Sequence, residues 1–402
     1  MPSMNLPAKI KSIKIADYSS YVIMAFIFSI PISTTGSNIL ALLIALLWLI
    51  EGRFKEKFQE ISKNKVTLAV LAYVLLHVVG LLWTSNYDWG LYTIKKQWKL
   101  LLLPVFLTMV KKEHAWYYIN SFIASMILSV VISYGIWLEI FSFKDSTPSN
   151  PSPFIMHVMY NPLLALAIYL LSIQLQLNNL SSQKKIAIMI IIAGMTINMF
   201  LVPGRTGQTT FFFLVVVLIF QSFKKNILTK LITCLIAIPF VFFVSYSSID
   251  QFKERVNASI ENLNNFDFNA PNSIAERATF LVVSTEIIKD NPIIGVGTGD
   301  FPQAYKNKIN TSDKIYGYAY TENPHNQYLL VLSQFGMVGL ILFSSIFYFQ
   351  FRFALSSSFP LKYVLVTFPL FYLFIFLGDS SLQVSGTSLL FSIFSAFLYK
   401  TT

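Results

Sequence analysis

The stretch Thr321-Glu322-Asn323-Pro324-His325-Asn326-Gln327-Tyr328-Leu329-Leu330 sets an imidazole and several amides where a polar segment runs into a long apolar one. A histidine there is a natural proton acceptor near neutral pH. Asn326, Gln327 and Tyr328 give the turn the hydrogen-bonding density that sugar or phosphate handling needs. The bland alternative is a helix-start histidine making a cap or a headgroup contact. Arg205 lies in Pro203-Gly204-Arg205-Thr206-Gly207-Gln208, between two apolar runs. Glycines allow close approach of another group. A helix opening there offers free N–H groups to an anion, and arginine adds a planar fork for phosphate oxygens. Its bland reading is an interfacial arginine reaching for headgroups. Lys96 and Lys99, beside Lys95, are phosphate-facing or else lie along Trp98 at the membrane boundary. His157 is a further candidate, whereas His77 and His114 read as structural. Arg277, next to Glu276, reads from spacing alone as part of a solvated, ion-paired helix face.

These residues need a scaffold, and composition fixes its class. The chain of 402 residues is 55% hydrophobic and 12% charged. Soluble domains carry about a quarter charged residues, so this is a polytopic membrane protein. The first apolar segment lacks a small-residue cleavage pattern and is expected to be retained. Cys234 is the single cysteine, which excludes an internal disulfide and leaves no thiolate metal site. The net charge of +11 suits membrane topology better than nucleic-acid binding.

Twelve apolar segments approach the roughly 20 residues needed to cross a bilayer. They run near 19–35, 37–50, 66–83, 94–110, 116–141, 157–176, 186–202, 208–223, 228–246, 325–350, 361–378 and 384–399. With the N-terminus inside, alternate connections collect Lys9, Lys11 and Lys14; Arg53, Lys55, Lys57, Lys63 and Lys65; Lys111 and Lys112; Lys184 and Lys185; Lys224, Lys225 and Lys230; Arg352 and Lys362; and Lys400. The opposite short connections are nearly free of Lys and Arg, apart from Lys144, Arg205 and the 95–99 run. That is the positive-inside pattern. It places both termini in the cytoplasm, and Arg205, His325 and the polar 247–324 segment outside. The expected organisation is transmembrane helices over 1–246, an external loop with short helices over 247–324, and three more spans over 325–402, forming one functional unit.

Within the loop, Asn272 to Asp290 reads as a helix, with Ser273 as N-cap and Glu276 completing a capping box. Arg277, Leu281, Ser284 and Ile288 share one face by spacing, and Asn291-Pro292 ends the helix. Gly295-Val296-Gly297-Thr298-Gly299 follows a helix rather than a strand, so it is a turn and not a dinucleotide site. The sequence has no His-Glu-x-x-His, no phosphate-binding lysine loop and no Gly-x-Ser-x-Gly elbow. No carboxylate cluster suits Mg²⁺ or Mn²⁺. No metal or cofactor is expected. The missing internal repeat argues against a transporter of polyprenyl-linked glycans.

Three stretches together resemble the bacterial O-antigen ligase family. They are Pro203-Gly204-Arg205-Thr206-Gly207-Gln208, the run from Glu276-Arg277-Ala278-Thr279-Phe280 to Gly299-Asp300-Phe301, and Pro324-His325-Asn326-Gln327-Tyr328 with its trailing Gly336-Met337-Val338-Gly339-Leu340. The likeness covers nearly the whole chain, but the histidine motif is shared with O-antigen polymerases and protein O-oligosaccharyltransferases. The resemblance implies a twelve-helix integral-membrane glycosyltransferase fold of the GT-C type. It implies an inner-membrane enzyme with a periplasmic site that moves a glycan from undecaprenyl pyrophosphate to lipid A–core oligosaccharide. It makes Arg277 a site residue beside His325 and Arg205. Lys96, Lys99, His157, Gln208, Asn326 and Tyr328 are the expected substrate contacts. A polysaccharide polymerase is the first alternative and a protein O-oligosaccharyltransferase the second.

Overall fold

A computed structural model describes residues 8–222, 226–268, 270, 272–311, 320–358 and 360–401. Lys224 and Lys225, the 312–319 part of the external segment, and the side chains of Lys9, Lys11 and Lys14 lie outside the described residues. About 79% of the described residues are helical, and no strand is present among them. In chain order come α1 (Ala8–Ser29), α2 (Thr34–Glu51), α3 (Phe54–Lys63), α4 (Lys65–Val79), α5 (Tyr87–Gln97), α6 (Leu103–Met109), α7 (Ala115–Trp137), α8 (His157–Leu177) and α9 (Ser182–Leu201). They are followed by α10 (Arg205–Ser222), α11 (Ile227–Ser248), α12 (Asp250–Asn264), α13 (Ser273–Asp290), α14 (Phe301–Thr311), α15 (Gln327–Ser356), α16 (Lys362–Ile375) and α17 (Ser385–Leu398).

Seven helical stretches are long and apolar enough to cross a membrane: Thr34–Glu51, Lys65–Trp83, Lys112–Trp137, His157–Leu177, Ser182–Leu201, Ile227–Ser248 and Gln327–Ser356. Three shorter apolar helices accompany them, Tyr18–Ser29, Lys362–Ile375 and Ser385–Leu398. α10, which opens on polar residues, belongs to neither group. The protein is thus a multi-pass membrane protein, and seven of the twelve expected spans coincide with helical stretches that meet the length by themselves.

Two expected spans are not single helices. The 94–110 span divides into α5, a 3₁₀ turn at Leu100–Leu102, and α6. Pro104 stands in the first turn of α6; it has no N–H to give the preceding turn, which tightens. The span expected to start at His325 begins at Gln327, capped by Asn326, and breaks at Gly336, where φ is 55°. The 292–298 loop lies in that break. Val296 N–H donates to the Ser333 carbonyl and Gly297 N–H to that of Gln334, each over 2.9 Å. Met337 and Val338 N–H donate back to Pro292 and Ile293 at 2.9 and 3.1 Å. These four backbone groups at the kink are satisfied, as irregular backbone within an apolar helix requires. The Gly295–Gly299 stretch is therefore a pinned insert, not a free turn. Thr298 Oγ1 donates to the His77 carbonyl at 2.7 Å, and Asp300 accepts from Ser85 and Asn86 N–H at 2.7 Å each. These bonds tie the insert to the end of α4.

The core lies around α17 and α8, which are buried nearly all round. A helix apolar on every side belongs inside a bundle. Phe368, Tyr372, Phe391 and Phe394 stack there with ring centroids 4.9–6.0 Å apart. α11 is peripheral, with only Ser245 buried.

Candidate active site

α9 and α10 form the expected hairpin, but Arg205 is the first residue of α10 rather than a loop residue. Gly207 has no side chain, and α10 closes directly onto Asn161 and Pro162 of α8. Asn161 Nδ2 donates to the Val202 and Pro203 carbonyls at 3.1 and 3.3 Å. Gln208 Nε2 reaches those of Met199 and Val202, both at 3.4 Å. A helix leaves its last carbonyls unpaired, so these amides hold the end of α9 and fix the Arg205 turn.

α13 starts one residue earlier in its capping than the sequence indicates. Asn272, not Ser273, is the N-cap, its Oδ1 accepting from Ile274 and Ala275 N–H at 3.0 Å. Ser273 is thereby free to accept from Arg205 Nη1 at 3.1 Å. The buried face of α13 is Ala275, Thr279, Phe280, Val283, Ser284 and Ile287; Arg277 and Leu281 share the exposed face, whereas Ser284, expected beside them, is buried. Arg277 is exposed, as the solvated-face reading has it, but it has no carboxylate within ion-pair distance among the described residues.

Arg205, Arg277 and His157 line a single cavity of about 550 Å³, together with Val158, Pro203, Gly204, Thr206, Arg255, Ser273 and Ile274. None of these lining residues is acidic. Arg255, on α12, was not singled out from sequence. Its Nη2 donates to the Phe200 carbonyl at 2.8 Å and the Leu201 carbonyl at 3.3 Å. Burial pushes its guanidinium down to about 10; Glu254 opposes this, and the charge of Arg205 adds a smaller downward push.

His325 does not line the cavity but adjoins it through two contacts. Its ring stacks on Phe280, centroids 5.7 Å apart, and Phe280 lies one turn beyond Arg277 on α13. Its Nδ1 is 3.2 Å from Asp379 Oδ1. Gly378, next to Asp379, packs against Thr206, the neighbour of Arg205. His325 sits in a left-handed conformation, φ 48°, which is uncommon for a residue with a side chain. Asn323 Oδ1 holds it by accepting from His325 N–H at 3.0 Å and from Ser380 Oγ at 2.6 Å. The Asp379 carboxylate also accepts from Ser380 N–H at 2.8 Å. The imidazole is about half exposed, whereas the carboxylate is mostly covered. Asp379 was also missed by sequence reasoning.

The remaining candidates are held apart from the cavity. Asn326 is used locally, with Oδ1 capping α15 and Nδ2 on the Leu377 carbonyl at 3.2 Å. Tyr328 donates its hydroxyl to the Leu373 carbonyl at 2.7 Å. Gln208 is buried in the hairpin as described. Lys96 lies over the Tyr92 ring at 4.3 Å, and Lys99 is buried 5.4 Å from the Trp98 ring. α5, which carries Lys96, does pack against the 381–383 turn that follows Asp379.

The bundle and its site define a multi-pass membrane protein in which a cationic cavity without acids adjoins a histidine–aspartate pair. Residues 187–344 match the family model described as O-antigen ligase. The matched stretch spans Arg205, Arg255, Arg277 and His325. No curated protein matches the chain.

Proposed function

We propose that the protein is an O-antigen ligase, an inverting glycosyltransferase of the inner membrane with the GT-C type of architecture. It moves a glycan from undecaprenyl pyrophosphate to lipid A–core oligosaccharide at the periplasmic face, with both termini in the cytoplasm. The observation that carries this reading is a cavity lined by Arg205 and Arg277, with His325 stacked on Phe280, one turn beyond Arg277 on α13. The family match supports a lipid-linked glycan as donor.

The chemistry follows from the donor. The pyrophosphate lipid is already a good leaving group, so the protein must bind its charge and deprotonate a sugar hydroxyl. Arg205 and Arg277 hold the pyrophosphate oxygens and stabilise the charge that grows as the glycosidic bond breaks. Asp379 engages Nδ1 of His325, leaving Nε2 to take the proton of the acceptor hydroxyl. The acceptor oxygen forms its bond to the anomeric carbon from the opposite side. The bond to the pyrophosphate oxygen breaks, and that oxygen leaves with the electron pair. The anomeric centre inverts.

The test is purified protein with a lipid-linked glycan and, separately, lipid A–core, a second lipid-linked glycan, or a protein acceptor. Growth of lipid A–core is the expected result. Growth only of the lipid-linked glycan identifies a polymerase, and growth only of the protein identifies an O-oligosaccharyltransferase. Either would overturn the ligase reading.

A further inference from the structure

Arg255 performs a task that does not explain its charge. Its Nη2 caps two carbonyls at the end of α9, and a cation there is favoured by the helix dipole. Yet the adjoining carbonyls of Met199, Val202 and Pro203 are capped by the neutral amides of Asn161 and Gln208. Capping this helix end therefore needs no guanidinium. The charge also has neighbours of its own sign. Arg255 is partly buried, lines the same space as Arg205 and Arg277, and has no ion pair among the described residues. Like charges in a shared, partly desolvated site oppose one another. An anion that meets all three removes that conflict.

We propose that Arg255 is a third anion-binding residue of the cavity, and that it makes the site selective for a diphosphate over a monophosphate. The inference rests on the donor-pyrophosphate reading above and extends it. A monophosphate is satisfied by the fork of Arg205 and the guanidinium of Arg277. A second phosphoryl group brings further oxygens and charge, and Arg255 is the remaining cation on the wall. The α9 anchor fixes the guanidinium in place before the ligand arrives.

The experiment uses the full-length protein in detergent, with inorganic pyrophosphate and inorganic phosphate as separate probes, read by calorimetry. Wild type is expected to bind pyrophosphate more tightly than phosphate. Arg255→Gln keeps an amide donor for the α9 carbonyls and loses the charge. It is expected to lower pyrophosphate affinity about ten- to a hundredfold while barely changing phosphate affinity. Arg255→Lys is expected to fall between. An unchanged preference for pyrophosphate in Arg255→Gln overturns the inference, because a residue that only caps α9 would not alter that ratio. If Arg255→Gln does not fold, Arg255→Lys decides in the same way, and a wild-type preference there overturns it. Loss of pyrophosphate binding in Arg205→Ala and Arg277→Ala with a normal Arg255→Gln leaves the donor site standing and removes only this extension. Failure of wild type to bind pyrophosphate overturns both.

Discussion

Asp379 faces Nδ1 of His325, and that contact decides which ring nitrogen is free for substrate. His325→Ala is expected to lower transfer by about 10²–10⁴-fold while leaving donor binding intact, since the base acts in the chemical step. Single-turnover rates and donor affinity, measured on the same preparation, check this. Asp379→Asn is expected to reduce the rate but not donor affinity, because the ring loses its orienting carboxylate. Arg205→Ala or Arg277→Ala should instead weaken donor binding about ten- to a hundredfold, and Arg→Lys should recover only part of it, as a point charge cannot make bidentate contact. His325 and Arg205 were legible in the sequence because each interrupts an apolar context. Arg277 became so only through family resemblance. Asp379 was not, since it lies 54 residues from His325 and nothing local links them. An acid at the end of an apolar span is itself a functional signal, and that signal could have found it. Arg255 hides in Lys253-Glu254-Arg255, which reads as an ordinary solvated helix face.

The helices that carry these residues are held by backbone geometry at two glycines. Gly295 and Gly336 both have positive φ, 66° and 55°, and each presses against the backbone of the other's segment. A Cβ at either meets a dihedral penalty of roughly 1–3 kcal/mol and a backbone atom that cannot move aside. Gly295→Ala and Gly336→Ala are expected to lower the thermal midpoint in detergent, and to reduce transfer because α13 and His325 flank the insert. Thermal unfolding of both variants alongside Gly194→Ala, where a Cβ meets open space, provides the comparison. The apolar runs showed where helices fall, because lipid and core both demand long hydrophobic stretches. They did not show the break in α15. Periodicity reports which residues are apolar, not which backbone groups are paired, and the partners of this break lie about forty residues upstream.

Across the whole molecule, the charge pattern assigns sidedness. Reporter fusions after residues 60 and 225 are expected to read cytoplasmic, and fusions near 265 and 310 periplasmic. A cytoplasmic signal at 265 would put the cavity in the wrong compartment for the proposed transfer. Transfer by the purified protein is also expected to survive EDTA, because guanidinium groups carry the pyrophosphate charge in this mechanism. Activity lost to the chelator and restored by Mg²⁺ or Mn²⁺ would refute that. The structure does bring the Arg205 turn, α13 and the His325 turn together, through Ser273, Phe280 and Gly378. The insert in α15 has one more consequence, for the order of biosynthesis. Residues 292–298 leave the ribosome before α15 exists, so their hydrogen-bond partners are made only afterwards. Asp379 is made later still. A nascent chain that has completed α13 and α14 cannot yet hold the insert in register, and His325, once made, waits for Asp379 as its partner. Activity should therefore be absent from every truncated intermediate, and the newborn protein becomes competent only when its last helices have been threaded into the membrane.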